Sequence, residues 1–342
     1  MKAAVYCGDK TFRVEETNSV APAAGEVQID VAYCGICGTD LHVYLGHMDG
    51  RVGTNRTIGH EMSGRVAALG DGVSEFAIGQ KVVVRPLKPC GSCPACNRGH
   101  AHICQNLKFL GLDSDGAFQE KWNVPAFTLH ALPEDMSLQH AALIEPLAVA
   151  CHDVARGGVK PHEDVLVIGG GPIGMLIALV AKAAGGKVTI SEINPHRLEI
   201  AKELGFNTIN PAETNAAEAV MAATGGKGAD VLFEVTGVQA GVDLMTDAAA
   251  TRARVVMVAI HAKAPQVDLF QFFWREIEMF GARVYEPQDY DKAISLIAQG
   301  SIPCDTLITD TRPLDDISSA FAKLNGNPKA MKTLIKTSGT EL

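Results

Sequence analysis

The sequence has 342 residues and a mass of 36.2 kDa, a length that suits two domains rather than a single hydrophobic core. Apolar residues make up 47% and charged residues 20% of the chain, which excludes a disordered protein. The 30 basic and 39 acidic residues give a net charge of -9, which argues against a nucleic-acid or anionic-membrane partner. The nine cysteines are an odd number, and four of them cluster at 90–104, so they predict metal binding in a reducing compartment rather than disulfides.

Neither a signal peptide nor a membrane span is expected. The N-terminus lacks a long apolar stretch and reaches a charged residue at Asp9, which is not typical of a secretory signal. Residues 165–181 carry no charge, but glycines and Pro172 interrupt them, so a buried strand, a turn and a buried helix explain the run better. We therefore expect a cytoplasmic protein.

The predicted elements change in character along the chain. The first 150 residues are β-rich, with apolar and polar residues alternating around 27–31 and short apolar runs at 64–69 and 81–84. From about residue 160, strands alternate with helices. The strands are predicted at 165–168, 188–191, 231–235 and 255–258, and the helices at 173–184, 195–204 and 241–250. Further helices at 291–298 and 315–324 precede a last strand at 333–336. The central alternation predicts βαβ units and a parallel sheet, so the fold class is α/β with a doubly wound sheet.

A scattered set of residues could provide a metal site with an open position. It comprises Cys37, the pair His60 and Glu61, and Glu145. A mixture of thiolate, imidazole and carboxylate suits a zinc ion that must also accept water or substrate. Each residue also has a plainer interpretation: a buried thiol, a hydrogen-bonded histidine or a carboxylate at the start of a helix. Spacing alone does not show that these groups converge.

Four cysteines lie close together in a Gly/Pro/His-rich loop: Cys90, Cys93, Cys96 and Cys104. Four thiolates at this spacing can enclose one tetrahedral zinc, which leaves no open position and is therefore structural. The alternatives are an iron–sulfur cluster and free thiols. Cys104 is followed by Gln105 and not by the proline of bacterial ferredoxin sites, which favours zinc. A nucleic-acid zinc finger is opposed by the acidic charge.

A glycine-rich turn lies between a predicted strand and a predicted helix. Gly169, Gly171 and Gly174 have the spacing of a dinucleotide-binding turn, with Pro172 and Ile173 between them. An acid, Glu192, follows the second strand of the unit and would accept hydrogen bonds from the adenosine ribose, which favours NAD over NADP. Arg197 could still tolerate a 2′-phosphate. The alternative is a packing turn that binds nothing.

These motifs together resemble the zinc-containing medium-chain alcohol dehydrogenases, and within them the polyol, butanediol and threonine dehydrogenase branch. The matching pieces span the chain in the family's order: Cys37–His42, Gly59–Glu61, the four-cysteine lobe, Glu145–Val149 and Gly169–Gly174. The resemblance implies a Rossmann domain inserted into a discontinuous, β-rich GroES-like catalytic domain. The expected domains are 1–150 with 276–342, carrying the structural zinc lobe at 88–106, and an NAD-binding domain at 151–275.

The resemblance also implies roles for individual residues. Cys37 and His60 match the catalytic zinc ligands, and Glu61 matches an acidic position that can bind zinc in the polyol branch. Glu145 stands where many alcohol dehydrogenases have a cysteine, and its carboxylate is expected to bind zinc or its water. Thr39 and His42 match the hydroxyl and imidazole of the proton relay. Tyr285 and Arg283 lie in a segment expected either to contact substrate or to be an ordinary loop.

The reaction implied is the reversible, zinc-dependent oxidation of a secondary alcohol to a ketone, with hydride transfer to NAD. Threonine dehydrogenases typically have Asp-Pro where this chain has Glu145-Pro146, which favours a polyol or vicinal diol as substrate. An amino-alcohol dehydrogenase and a catalytically inactive binding relative are the alternatives. The resemblance further implies a homotetramer, with a dimer as the alternative.

Overall fold

The computed structural model describes residues 1–327 and 329–338, and the chain folds into two compact units. One unit combines Met1–Glu145 with the residues from Glu286 onward, and the other is Pro146–Tyr285. No helix among the described residues is long and apolar enough to cross a membrane.

The unit formed by both chain parts is built on antiparallel β-structure. Its largest sheet has seven strands. Six of them lie side by side in the order Leu129–Ala131, Lys81–Val84, Glu61–Leu69, Glu26–Gly35, Lys332–Lys336 and Ile308–Pro313. The seventh, Lys121–Pro125, also pairs with Glu26–Gly35. A three-stranded sheet contains Thr11–Glu16, Lys2–Gly8 and Arg56–Thr57, and a two-stranded sheet contains Leu87–Lys88 and Lys108–Phe109. The strand Lys332–Lys336 pairs antiparallel with Glu26–Gly35, so one sheet joins the early and late parts of the chain.

Short helices and aromatic packing complete this unit. The helices are Gly38–Tyr44, Asp49–Val52, Pro94–Asn97, Leu138–Ala141, Pro287–Ala298, Cys304–Leu307 and Ile317–Leu324, and the 3-10 turns are Ala101–Ile103, Ala126–Thr128 and Leu314–Asp316. The rings of Phe12 and Phe321 lie 4.7 Å apart at their centroids, and Phe118 meets Phe321 edge-on at 5.9 Å. The helix Ile317–Leu324 therefore buries its apolar face in the same core as the early strands.

The central unit is a parallel sheet of six strands. Their order across the sheet is Asn207–Ile209, Lys187–Ser191, Asp164–Ile168, Ala229–Glu234, Ala249–Met257 and Glu278–Gly281, which is the doubly wound order 3-2-1-4-5-6. The helices of this part of the chain are Ile144–Gly157, Pro172–Ala183, Pro195–Glu203, Ala216–Ala223, Gln239–Asp247 and Leu269–Arg275. The middle strand Asp164–Ile168 is almost entirely buried, as expected for a strand covered on both faces.

The predicted fold class is confirmed: a Rossmann sheet accompanies a β-rich GroES-like fold. Most predicted elements appear within a few residues of their expected limits. Asn194 caps the helix Pro195–Glu203, since its side chain accepts hydrogen bonds from the backbone N–H groups of His196 and Arg197. The strand expected at 255–258 is longer than predicted and runs over Ala249–Met257.

Candidate metal centres and dinucleotide site

The four cysteines of the loop at 90–104 come together around one point. Each contributes a sulfur within 4.8 Å of the other three. The Sγ–Sγ distances are 3.5 Å for Cys93–Cys96, 3.8 Å for Cys93–Cys104 and 3.4 Å for Cys90–Cys104. Sulfurs bound tetrahedrally to zinc at ~2.3 Å lie about 3.8 Å apart, so the spacing fits one zinc ion.

The surrounding backbone favours thiolates at this loop. The N–H groups of Cys90 and Asn106 donate to Cys104 Sγ, and that of Gln105 donates to Cys93 Sγ, over 3.3–3.4 Å. A backbone hydrogen bond from Ser92 is the main cause that lowers the pKa of Cys90 to about 5. Backbone hydrogen bonds also lower the pKa of Cys93, whereas burial raises the pKa of Cys96 to about 11, so the loop favours the metal-binding thiolate form at Cys90 and Cys93.

A second donor cluster contains three of the four scattered residues. A sulfur of Cys37, a ring nitrogen of His60 and a carboxylate oxygen of Glu61 all lie within 4.8 Å of one another. Cys37 is half-buried and is the N-cap of the helix Gly38–Tyr44, whereas His60 and Glu61 are buried at the start of the strand Glu61–Leu69. The structure thus brings a helix cap and a strand end together as a mixed thiol, imidazole and carboxylate site.

Asp40 organises this cluster although it is not a candidate ligand. Its Oδ2 accepts the backbone N–H of Cys37 at 2.9 Å, and its Oδ1 lies 3.5 Å from His60 Nδ1. Burial by itself would lower the pKa of His60, but Asp40 and Cys37 raise it well above its usual range. Because Nδ1 faces Asp40, Nε2 is the ring nitrogen left for a metal, an arrangement in which the carboxylate orients a metal-binding histidine.

The Glu61 carboxylate contacts a lysine from the last strand of the sheet. Lys332 Nζ lies 2.8 Å from Oε1 and 2.6 Å from Oε2 of Glu61, and it also donates to the carbonyl of Ile36 at 3.3 Å. Burial tends to lower the pKa of Lys332, but the charges of Glu61, Cys37 and Glu145 raise it above its usual value. The ammonium group therefore stays charged inside the protein.

The other predicted catalytic residues are not members of this three-residue cluster. Glu145 is buried in the first turn of the helix Ile144–Gly157, and its charge acts on Lys332. Thr39 is half-buried, and His42 is exposed one turn further along the helix Gly38–Tyr44. His42 Nδ1 lies 3.3 Å from His47 Nδ1.

The donor chemistry of both clusters fits zinc. Four thiols form a closed set, and a thiol, an imidazole and one carboxylate form a set with an open position. In the open set, His60 Nδ1 and Asp40 Oδ1 are buried without a hydrogen-bond partner within the described chain. Such a pair is held in place when the imidazole binds a metal through its other nitrogen.

The glycine turn has the geometry that a dinucleotide phosphate requires. Gly169 has φ of 106°, in the left-handed region that favours glycine, and it directly follows the strand Asp164–Ile168. Gly171 is the N-cap of the helix Pro172–Ala183. A Cβ at Gly174 would overlap the carbonyl oxygen of Gly169, so this position needs glycine for the helix to pack against the strand. The turn leaves free N–H groups at a helix N-terminus, where a phosphate binds favourably.

A cavity of about 800 Å³ opens beside this turn, within the central unit. Its lining includes Gly169, Gly171, Glu192, Arg197 and Thr236. Glu192 is fixed there, because Oε2 accepts the Gly170 N–H at 2.8 Å and Oε1 accepts two further backbone N–H groups. Arg197 Nη1 lies 3.6 Å from Glu192 Oε2, and its buried Nε has no partner within the described residues.

Two residues that contact the predicted site are not identified by sequence reasoning. Asp40 falls within the Cys37–His42 motif without a role of its own, and Lys332 stands directly before the predicted last strand. Tyr285 and Arg283 lie in the segment that was expected either to contact substrate or to be an ordinary loop. Tyr285 is fully buried and Arg283 is exposed.

Comparison with known proteins identifies the family. Residues 23–134 match the alcohol dehydrogenase GroES-like domain, and residues 172–299 match the zinc-binding dehydrogenase family. A 2-dehydro-3-deoxy-L-galactonate 5-dehydrogenase of Pseudoalteromonas atlantica is 55% identical over 336 residues, covering 98% of both chains. The chain belongs to the zinc-binding medium-chain dehydrogenases.

Solved structures agree with this assignment. The 2R,3R-butanediol dehydrogenase of Bacillus subtilis superposes with a TM-score of 0.91 at 32% identity, covering 98% of this chain and 99% of the other. An alcohol dehydrogenase of Escherichia coli CFT073, solved with NADH, gives a TM-score of 0.91 at 30% identity, with the same coverage. The protein is therefore a zinc-dependent dehydrogenase of the alcohol and polyol type, as the resemblance predicted.

We expect Cys96→Ser to remove one zinc per chain, because a hydroxyl replaces a thiolate in a closed four-sulfur site. Zinc content measured by mass spectrometry should fall from two ions to one, and the thermal unfolding midpoint should fall with it. The matched control is Cys7→Ser, whose sulfur lies outside both clusters. Two zinc ions retained in Cys96→Ser would contradict the four-cysteine site.

Proposed function

We propose that the protein oxidises a secondary hydroxyl of a sugar acid, of the 2-dehydro-3-deoxy-L-galactonate kind, to a ketone with NAD. The substrate class is proposed from the similarity to the 2-dehydro-3-deoxy-L-galactonate 5-dehydrogenase, which matches 98% of the chain at 55% identity. The sequence favoured a polyol or vicinal diol, and a sugar acid is a polyol chain that ends in a carboxylate. The mixed donor cluster supports the reaction type, since it offers a thiol, an imidazole and a carboxylate to one metal.

Cys37, His60 and the carboxylates of Glu61 and Glu145 are the residues proposed to hold the catalytic zinc. The chemistry that zinc supplies in such a site is Lewis-acid polarisation of the alcohol oxygen, which eases loss of its proton. Asp40 fixes the ring of His60 and the backbone of Cys37 for this purpose. The four cysteines from Cys90 to Cys104 are proposed to hold the structural zinc.

Thr39 and His42 are proposed to remove the proton. Both lie on the helix Gly38–Tyr44, three residues apart, so their side chains project from the same face. Thr39 is half-buried next to Cys37, whereas His42 is exposed and also meets His47. A proton that leaves the substrate near Thr39 Oγ1 would reach solvent at His42, whose imidazole can accept and release it.

The cavity beside Gly169–Gly174 is proposed to bind the adenosine half of NAD. Support comes from the strand order, the free helix N-terminus and the fixed carboxylate of Glu192. A 2′-phosphate would meet that buried carboxylate, so NADP is expected to bind less well than NAD. Arg197 lies beside Glu192 and reduces this repulsion in part.

We propose that the unit formed by Met1–Glu145 and the residues from Glu286 onward is the zinc domain, which was expected at 1–150 and 276–342. We propose that the central unit, Pro146–Tyr285, is the NAD domain, which was expected at 151–275. The nine cysteines, all among the described residues, form no disulfide, which suits a cytoplasmic location, and we also propose this location.

We further propose that the protein is a homotetramer, with a dimer as the alternative. The helix Leu269–Arg275 exposes Leu269, Phe270, Phe273 and Trp274 at 62–75% of their surface. The neighbouring strand Glu278–Gly281 is the edge of the six-stranded sheet and is largely exposed. Large apolar side chains beside an open sheet edge are typical of a surface that another subunit covers.

We expect the purified enzyme to prefer the sugar acid in an NAD-linked absorbance assay. Against sorbitol, (R,R)-butanediol and L-threonine, kcat/KM for 2-dehydro-3-deoxy-L-galactonate should be higher by about a hundredfold or more, since unmatched polar groups in a site reject wrong substrates. Cys37→Ser should abolish turnover and Cys7→Ser should retain it. Equal turnover of butanediol or threonine would contradict the proposal.

Glu192→Ala should change the choice of coenzyme. Without the carboxylate, Arg197 is free to meet a 2′-phosphate, so the ratio of kcat/KM for NADP to that for NAD should rise by about tenfold or more. Glu203→Ala, at an exposed position on the helix Pro195–Glu203, is the control and should leave the ratio unchanged. An unchanged ratio in Glu192→Ala would argue against contact with the ribose.

Light scattering after gel filtration should give a mass of about four chains, or two. Phe273→Ser combined with Trp274→Ser should lower this mass, because it removes apolar area that association would bury. The exposed pair Phe127→Ser and Val20→Ser, from the other unit, is the control. A wild-type mass of one chain would exclude the oligomer.

A further inference from the structure

A sugar acid differs from an uncharged polyol by the carboxylate at one end of its carbon chain. In the proposed reaction, a hydroxyl away from that end reacts at the mixed site of Cys37, His60 and Glu61, so the carboxylate lies beside this site. Guanidinium groups bind carboxylates with high specificity, because two parallel N–H donors match the two oxygens. An arginine near the mixed site could therefore distinguish a sugar acid from a polyol.

The segment 109–116 forms a wall beside the mixed site. The ring of Phe109 meets the ring of His60 edge-on, with 5.1 Å between the centroids. A Cβ at Gly111 or at Gly116 would overlap the carbonyl oxygen of Gly59, so both positions need glycine for this close approach. The segment therefore packs directly against the proposed metal ligand His60 and the residue before it.

Arg51 is anchored to this wall through Asp113. Arg51 Nε lies 2.9 Å from Oδ1 of Asp113, and Arg51 Nη2 lies 2.8 Å from Oδ2. The same Oδ2 accepts the backbone N–H of Phe109 at 2.8 Å. One carboxylate thus connects the guanidinium group to the residue whose ring contacts His60.

Arg51 keeps a second binding edge after this contact. A guanidinium group has five N–H donors, of which Asp113 takes that of Nε and one of Nη2. The edge formed by Nη1 and the other hydrogen of Nη2 makes no hydrogen bond to any residue that the structure describes, and 45% of the side chain is exposed. This edge can bind a second carboxylate through two parallel hydrogen bonds.

The charges around Arg51 also favour an anion. The hydrogen bond from Arg51 is the main cause that holds the pKa of Asp113 below its usual value, and the charge of Lys108 acts in the same direction. Lys108 is exposed in the strand Lys108–Phe109. Two cations therefore act on one carboxylate, which leaves a net positive charge beside the wall.

Two other cations of this unit are less accessible than Arg51. Lys332 contacts both oxygens of Glu61, and only 6% of its side chain is exposed. Arg56 is half-buried, and its Nη1 donates to the carbonyl of Leu112 at 2.8 Å. Of these three cations, Arg51 is the one that a dissolved substrate reaches most easily.

We infer that Arg51 binds the carboxylate of the sugar-acid substrate and thereby selects a sugar acid over an uncharged polyol. This inference rests on the proposed function, since it takes the sugar acid as substrate and the mixed site as the place of reaction. The guanidinium group lies between two carboxylates, that of Asp113 on one edge and that of the substrate on the other. Asp113 holds the arginine in place before the substrate arrives, so less conformational freedom is lost on binding.

Arg51→Gln tests this role by removing the charge. Binding of 2-dehydro-3-deoxy-L-galactonate to the zinc-loaded enzyme is measured by calorimetry with NADH bound, a combination in which the hydroxyl cannot be oxidised. We expect the dissociation constant to rise by about tenfold to a hundredfold, as for the loss of charge-assisted hydrogen bonds. In the NAD-linked assay, kcat/KM for the acid should fall by the same factor, mainly through KM, whereas kcat/KM for sorbitol should change by less than about twofold.

Three further variants complete the test. Arg13→Gln is the matched control, because Arg13 is also an exposed arginine of this unit with a carboxylate partner, Glu15, and it should leave all constants unchanged. Asp113→Asn removes the charge of the anchor but keeps the cation, so the preference for the acid over sorbitol should remain. Arg51→Lys keeps the charge without the two-donor edge and should lose part of the preference, which decides the question if Arg51→Gln does not fold.

Two results would overturn the inference. An equal loss for the acid and for sorbitol in Arg51→Gln would show that Arg51 only holds the wall, and an unchanged preference would show that the carboxylate binds elsewhere. If the wild-type enzyme oxidises sorbitol as well as the sugar acid, the proposed substrate class fails and the inference fails with it. If the wild type prefers the acid and Arg51→Gln keeps that preference, only the role of Arg51 fails.

Discussion

The pairing of the strand Glu26–Gly35 is the constraint on which the mixed metal site depends. This strand pairs with Glu61–Leu69 and with Lys332–Lys336, and its end leads directly into the helix capped by Cys37. A shift of the register by one residue would turn alternate side chains to the opposite face. In the observed register Glu61 lies opposite Gly35, which has no side chain and therefore leaves space for the buried carboxylate.

The two metal sites are stabilised in different ways. The four-cysteine site is a loop that supplies its own ligands and its own N–H···S hydrogen bonds, so its geometry is local. The mixed site draws on a helix cap, a strand end and the last strand of the sheet. The buried charge of Glu61 is compensated by that of Lys332, which is 271 residues away in the sequence. Sites of the second kind depend on the complete fold.

This difference explains how far the sequence could predict the site. The four cysteines and the turn at Gly169–Gly174 have ligands or glycines at short, regular spacing, and their predicted geometry matches the structure. The proximity of Cys37, His60 and Glu61 needed the family resemblance, because spacing alone does not bring them together. The contact between Lys332 and Glu61 could not be predicted, since it depends on the strand register and on the space left by Gly35.

The fold is predicted best where the apolar pattern is continuous. The strand Lys81–Val84 has its predicted limits, and the buried helix after Gly171 matches its prediction to within one residue at each end. The strand Ala249–Met257 is predicted only in its second half, because Thr251 and Arg252 are exposed and break the apolar run. The aromatic residues of Leu269–Arg275 carry no signal in the sequence that distinguishes an exposed helix from a buried one.

The late position of Lys332–Lys336 in the chain has a consequence for biosynthesis. During translation the strand Glu26–Gly35 emerges early, but the strand Lys332–Lys336, which pairs with it, emerges about 300 residues later. The hydrogen bond from Thr337 to the carbonyl of Val31, for example, joins residues that are 306 positions apart. The central parallel sheet can fold meanwhile, because all of its strands are already present. Until the lysine arrives, the carboxylate of Glu61 lacks its buried counter-charge. The ion pair between Glu61 and Lys332 can therefore form only after nearly the whole chain has been made, whereas the four cysteines of the loop are all made within the first 104 residues.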